Sequence, residues 1–282
     1  MRKRPREPAA PAGSGKRASR TKPVPAPPRS VWEGVYPSFA AASADRDVFA
    51  GPTWIAGAEA RLTADLAALE TDGAISPLSM VREHPLSLVA AMVRAKKDRL
   101  KVLDFGGGLA AGFLRLMASV PDRTNIDYQI VEVPAVAALG RGRLANFANL
   151  RFHAEIPESE TGFDLVSAAS ALHYVENWRK CLSSLARLGA EWLLFGDLPA
   201  GSIPTFVTRQ VYYGRAIPVW FWNLAEFEAA VAATGYRPAY RAGFRARVLG
   251  REERLPMDAL PPAHRLDHCC HLLFHRLDPK TP

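Results

Sequence analysis

A chain of 282 residues, 48% of them hydrophobic, can bury one large core, and its three cysteines cannot build a disulfide framework. The net charge of +8 is not spread over the chain: residues 1–30 hold nine Lys and Arg against Glu7 alone, so the remainder carries 27 of each sign. No apolar run approaches the ~20 residues that span a bilayer, and the basic start lacks the apolar stretch of a secretory signal, so a reducing, cytoplasmic setting is expected.

Residues 1–30 are rich in Pro, Ala, Arg, Lys and Ser and hold almost no large apolar side chain. Such a segment cannot offset its ordering entropy and reads as a disordered basic tail. A basic tail can tether nucleic acid, but the neutral body does not favour that partner. Trp32-Glu33-Gly34-Val35-Tyr36 reads as a small anchor against the main domain. Residues 54–70 and 85–97 look helical, the second with Leu86, Leu88, Val89, Met92 and Val93 near a 3.6-residue period. Residues 31–98 are therefore expected to form a mostly helical cap.

The main domain is expected over residues 99–277. Lys101 to Asp104 reads as its first strand, and Ala110 to Val120 as the crossover helix, stopped by Pro121. Further strands follow at Ile126–Val131, Leu150–His153, 163–170 and Trp192–Phe195. An amphipathic helix with Trp178, Cys181, Leu182, Leu185 and Leu188 on one face separates the last two. Strand and helix alternate, which predicts an α/β fold with a doubly wound, mostly parallel, Rossmann-like sheet. Residues 200–222 break the rhythm with Phe206, Tyr212, Tyr213, Trp220, Phe221 and Trp222, and read as a lid inserted after a strand's carboxyl end. Asn223 then caps a helix, with Glu226 as its capping-box partner, and two strands are expected around 236–244 and 268–276.

The chemistry concentrates at Asp104-Phe105-Gly106-Gly107-Gly108, where a buried strand ends in a carboxylate and a glycine turn. Glycine there lets backbone approach a ligand closely. Glu132 closes the second strand 24 positions after Gly108, near the ~20 expected between a glycine loop and a ribose-binding acid. The run Gly106-x-Gly108-x-x-Ala111 satisfies the loose dinucleotide pattern, but Asp104 would place negative charge beside a pyrophosphate. S-adenosylmethionine has no phosphate, and its ammonium and sulfonium favour a nearby carboxylate. His173, after the fourth strand, and Asp197, at the end of the fifth, are the candidate general bases. No metal site is expected: His264, His268, His271 and His275 would share a face only on a helix, and the segment reads as a strand.

Asp104-x-Gly106-x-Gly108, Glu132 and the strand leading to Leu172-His173-Tyr174 resemble the successive motifs of class I S-adenosylmethionine-dependent methyltransferases. More narrowly, Trp32-x-Gly34-x-Tyr36, the glycine loop and His271-Leu272-Leu273-Phe274 resemble a bacterial group of methyltransferases associated with surface-polysaccharide biosynthesis. Ala110 departs from that group, which usually has a further glycine there. The resemblance implies that Asp104 faces the methionine end of the cofactor and that Gly106, Gly107 and Gly108 pass beneath it. It further implies that Glu132 holds the ribose, that Val133 and Glu155 lie by the adenine, and that Ala169 and Ser170 floor the sulfonium. The implied reaction is O-methylation of a sugar or small hydroxylated metabolite; the alternatives are a nucleic-acid methyltransferase using the basic tail and a non-catalytic cofactor-binding scaffold.

Overall fold

Seven strands form the main sheet in the order β10-β11-β6-β5-β2-β3-β4. They are β2 (Leu100–Phe105), β3 (Ile126–Val131), β4 (Leu150–His153), β5 (Leu165–Ala169), β6 (Trp192–Leu198), β10 (Tyr236–Phe244) and β11 (Cys269–Arg276). The computed structural model describes residues 30–43, 45, 48–74, 85–120, 122–212, 215–244 and 254–277. The tail expected over 1–30, apart from Ser30, thus lies outside the described residues, as do Pro121 and Tyr213. Strands β2 to β6 are parallel, and β11 runs against its neighbours on both sides. The expected α/β, mostly parallel sheet is therefore present.

Both faces of the sheet are covered, so its central strands are buried along almost their whole length, polar residues such as Lys101, Gln129 and Ser167 included. Leu100, Val102, Tyr128 and Ile130 face a core that includes helices α2 (Pro52–Asp72), α3 (Leu86–Arg94) and α4 (Ala111–Ser119). Leu103, Val166, Leu193 and Phe195 face the other core, shared with α6 (Trp178–Arg187) and α7 (Leu224–Ala232). Helix α5 (Pro134–Arg143), which crosses from β3 to β4, was not expected. Pro134 stands in its first turn, where a missing N–H is harmless.

A second sheet, ordered β1-β8-β9-β7, is built from β1 (Trp32–Tyr36), β7 (Ala200–Gly201), β8 (Phe206–Tyr212) and β9 (Arg215–Asn223). The segment 31–98 therefore divides. Its start, a strand where an anchor was expected, pairs with β8, while α2 and α3 pack in the main core. The aromatic insertion of 200–222 is largely the antiparallel pair β8 and β9. Its side chains Phe206 and Phe221 share a third core with Trp32, Met257 and Leu260.

Asn223 does cap α7, accepting from the Glu226 N–H at 3.1 Å. The reciprocal half of the box is replaced: Glu226 accepts from Thr205, whose hydroxyl also takes the Asn223 N–H. Among the described residues no helix is long and apolar enough to cross a membrane.

Candidate active site

The parallel strands all present their carboxyl ends to one edge, and the glycine loop leaves β2 there. Gly106 N–H donates to the Val131 carbonyl at 2.8 Å, tying the loop to β3. Gly106 has φ +72, and a Cβ on it would collide with Ala171 after β5. A Cβ on Gly107 would stand 2.6 Å from an Asp104 carboxylate oxygen. Two different crowding partners thus require glycine at 106 and 107. Ala110, at φ 67, occupies the left-handed region, where glycine is at ease and alanine is strained by about 1 kcal/mol or more.

Asp104 lies beneath this loop, only 5% exposed, and accepts a 2.8 Å hydrogen bond from the Tyr128 hydroxyl. Burial is the main cause that pushes its carboxyl up to about 6; the Tyr128 bond opposes the shift and the Glu132 charge adds to it. Glu132 bridges two turns. One oxygen accepts from Gly108 N–H and the other from Val133 N–H, each at 2.9 Å. Burial raises its carboxyl, and these two bonds hold the shift back. Each oxygen keeps a lone pair for a further donor, such as a ribose hydroxyl.

Next to Glu132 a cleft of about 650 Å³ is lined by Phe105, Val131, Ala154, Glu155, Ile156 and Pro157 among others. It is large enough for a nucleoside. Val133 is 38% exposed at its approach. The cleft's lining carries glutamates and no Lys or Arg. With Asp104 and Glu132, that set of acids suits an uncharged adenosine and a cationic tail, and repels a pyrophosphate.

A second group stands on the other side of β2. Ala169 ends β5 and pairs with Gly196 of β6. Ser170 (φ 51) and Asp197 (φ 49) both hold left-handed backbone, and the Ser170 hydroxyl donates to Asp197. Strained non-glycine residues at neighbouring strand ends cluster where function demands them. Cys269 lies against the same carboxylate, and its thiol is pushed well up by burial first and then by Asp197.

His173 falls on the 3-10 turn Leu172–Tyr174 and is 6% exposed. Its Nδ1 has no hydrogen-bond partner among the described residues, and burial pushes the imidazole down to about 3. The structure therefore joins Gly108, Glu132 and Val133 by hydrogen bonds, packs Asp104 under Gly107, ties Gly106 to Val131, and bonds Ser170 to Asp197. Glu155 sits in the cleft between β2, β3 and β4, and His173 turns into the interior.

Sequence reasoning missed the aromatic run above the loop. Trp54, at the start of α2, comes within 3.8 Å of where a Cβ on Gly108 would stand. Phe49 meets Trp54 and Tyr174 edge-on, with centroids 5.9 and 4.6 Å apart. The Tyr174 hydroxyl donates to Gln210 of β8 at 2.8 Å. No periodicity signals such a run, because its members come from three distant segments. Tyr128 was legible in principle: a hydroxyl on an otherwise apolar strand needs a partner.

A family model described as a methyltransferase domain matches residues 79–238, more than half of the chain. No curated protein matches the sequence. Among solved structures, a complex between the Haloferax volcanii Trm112 methyltransferase activator and a methyltransferase is similar at 15% identity, with TM-score 0.51, over 84% of this chain and 99% of that one. A Burkholderia thailandensis 1,6-didemethyltoxoflavin-N1-methyltransferase, bound to 1,6-didemethyltoxoflavin and S-adenosylhomocysteine, matches at 16% identity and TM-score 0.46 over 79% and 90%. An amino pentose methyltransferase from Micromonospora echinaspora, with S-adenosylmethionine bound, matches at 17% and 0.44 over 68% and 90%. The fold, the acid-lined cleft and the family match agree: the chain belongs to the methyltransferase-domain family, as an S-adenosylmethionine-dependent, Rossmann-like methyltransferase.

Proposed function

We propose that the protein methylates a hydroxyl of a sugar or another small hydroxylated metabolite, with Asp197 as the general base. The observation that carries this reading is the Ser170–Asp197 pair, held on strained backbone at the strand ends beside the glycine loop. S-adenosylmethionine supplies a methyl already activated on a sulfonium. The chain's own residues bind, align and accept a proton. Gly106, Gly107 and Gly108 would hold the cofactor, with Glu132 taking the ribose hydroxyls and Val133 and Glu155 the adenine. Asp104 would favour the cationic methionine end, and Ala169 and Ser170 would support it. As the acceptor oxygen gains the methyl, its proton passes to Asp197.

Asp197 is preferred to His173 because it is partly open to solvent and has an orienting donor in Ser170. His173 is buried, and at a value near 3 it is a weak base. It serves as wall. The segments 31–98 and 200–222 together act as cover and lid, and the aromatic run offers flat faces to the apolar side of a sugar ring. The three free cysteines suit a reducing, cytoplasmic compartment, and the resemblance in the sequence suggests a step in surface-polysaccharide biosynthesis.

Calorimetric titration with S-adenosylhomocysteine tests the cofactor half. Binding is expected, with at least about tenfold weaker affinity in Glu132→Ala, and none for NADH. A pool of monosaccharides, with S-adenosylmethionine, then tests the acceptor: S-adenosylhomocysteine should form, and Asp197→Asn should slow it about 100-fold or more. Turnover on amines alone would sink the hydroxyl reading.

A further inference from the structure

We propose that His271 is the positioning residue for Asp197, holding the carboxylate in place through its ring nitrogen. This rests on the reading of Asp197 as the base. The pairing of β6 with β11 is regular from Trp192 to Phe195, and resumes with Leu198 opposite Cys270. Between them two residues of β6, Gly196 and Asp197, face the single residue His271. That count is a β-bulge, a device that re-aims one side chain and interrupts the ladder. At the interruption the Asp197 N–H donates instead to the His271 Nδ1, at 3.2 Å.

This bond explains how an aspartate keeps φ 49 at a strand end. An L-residue leaves the left-handed region unless its surroundings hold it there. The His271 ring is 4% exposed and packs against Phe244 of β10, centroids 4.6 Å apart, so it is itself immobilised. The left-handed turn lets the Asp197 side chain reach Ser170 at the end of the adjacent strand β5. Three strands thus converge on one residue: β5 leads into the hydroxyl on its carboxylate, β11 supplies the imidazole on its backbone N–H and the Cys269 thiol on its carboxylate, and β6 supplies the bulge. Because Nδ1 accepts, the ring must carry its proton on Nε2.

The first measurement is on the wild-type chain. Long-range 15N correlation of the His271 ring should show an unprotonated Nδ1 at neutral pH; a protonated Nδ1 overturns the proposal. Variants then separate position from packing. Asn places its side-chain oxygen as many bonds from Cα as Nδ1, whereas Gln reaches one atom further. In His271→Leu, amide exchange at Asp197 should rise about tenfold relative to Leu193 and Leu194. His271→Asn should restore most of that protection and His271→Gln should not. S-adenosylhomocysteine affinity should stay within about twofold throughout, since Glu132, Val133 and Glu155, proposed to hold ribose and adenine, follow β3 and β4, beyond β6, β5 and β2 from His271.

On the monosaccharide pool, kcat should fall about 10- to 100-fold in His271→Leu, with KM little changed, and recover in His271→Asn. Equal exchange at Asp197 in wild type and His271→Leu, or no advantage of Asn over Gln, overturns the proposal. Exchange needs no acceptor, so it fails or holds independently of the base reading. That reading fails if Asp197→Asn turns over at the wild-type rate.

Discussion

At the scale of single residues, the site stores its strain in carboxylates and in backbone. Asp104 is held at about 6, above the ordinary aspartate value of 3.8, by burial first. A carboxyl whose folded value is raised binds its proton more tightly in the folded state. It therefore contributes stability that is full below the unfolded value and lost as pH rises through the folded one. The shift corresponds to roughly 3 kcal/mol. Urea unfolding at pH 4 and pH 7 should show this loss in the wild type, and Asp104→Asn should flatten it between those limits. Ala110 offers a second test. Replacement by glycine relieves the left-handed strain, but it gives up a buried methyl worth about 0.8 kcal/mol and some unfolded-state restriction. The terms nearly cancel, so Ala110→Gly should unfold within about 1 kcal/mol of wild type. Ala110→Val should cost about 2 kcal/mol or more, because a β-branched side chain tolerates that φ least.

At the scale of elements, much was legible because buried parallel strands and glycine turns leave strong local signals. The β2 strand, its loop and Glu132 stand where their spacing put them. What was not legible depended on distant partners. Trp32 to Tyr36 carries two aromatics about a glycine, and nothing local says that β8 lies beside it. Strand β6 was expected to stop at Phe195. It runs on to Leu198, because Ala169 of β5 pairs with Gly196 and Cys270 of β11 pairs with Leu198. The bulge at Asp197 is a property of two strands together and cannot be read from either.

The helix caps are local and testable. Asn223 serves α7 through its Oδ1, and its Nδ2 donates to the Ile203 carbonyl at 3.0 Å. Asn223→Ala loses both and should cost about 1–2 kcal/mol in thermal or urea unfolding. Strand β10 is the exposed edge of the main sheet, with residues 237–241 all open to solvent. Pro238 and the register shift after it spoil that edge as a template for another strand. Pro238→Val should therefore raise aggregation on heating, read by light scattering, while leaving the monomer's fold intact.

At the scale of the molecule, the two sheets and their cores are sewn together by segments far apart in sequence. Helices α2 and α3 supply Ala58, Leu62, Leu86, Val89 and Val93 to the core that also holds Phe113, Leu116 and Met117 of α4. A chain cut to residues 99–277 would leave that face bare. It should be recovered aggregated, or soluble only as a large oligomer, by size-exclusion chromatography, since such a patch exceeds what a monomer can expose. The same dependence holds for the small sheet, whose β1 strand begins at residue 32 and whose other members begin at residue 200.

On the cofactor placement proposed above, the buried carboxyl beneath the glycine loop also makes the cofactor's arrival a protonic event. A group held at about 6 is partly protonated in mildly acidic solution. A cationic ligand settling above it favours the ionised form and drives that proton into the buffer. The heat of binding at pH 6 should then differ between phosphate and imidazole buffers by an amount set by their ionisation enthalpies. In Asp104→Asn that difference should shrink.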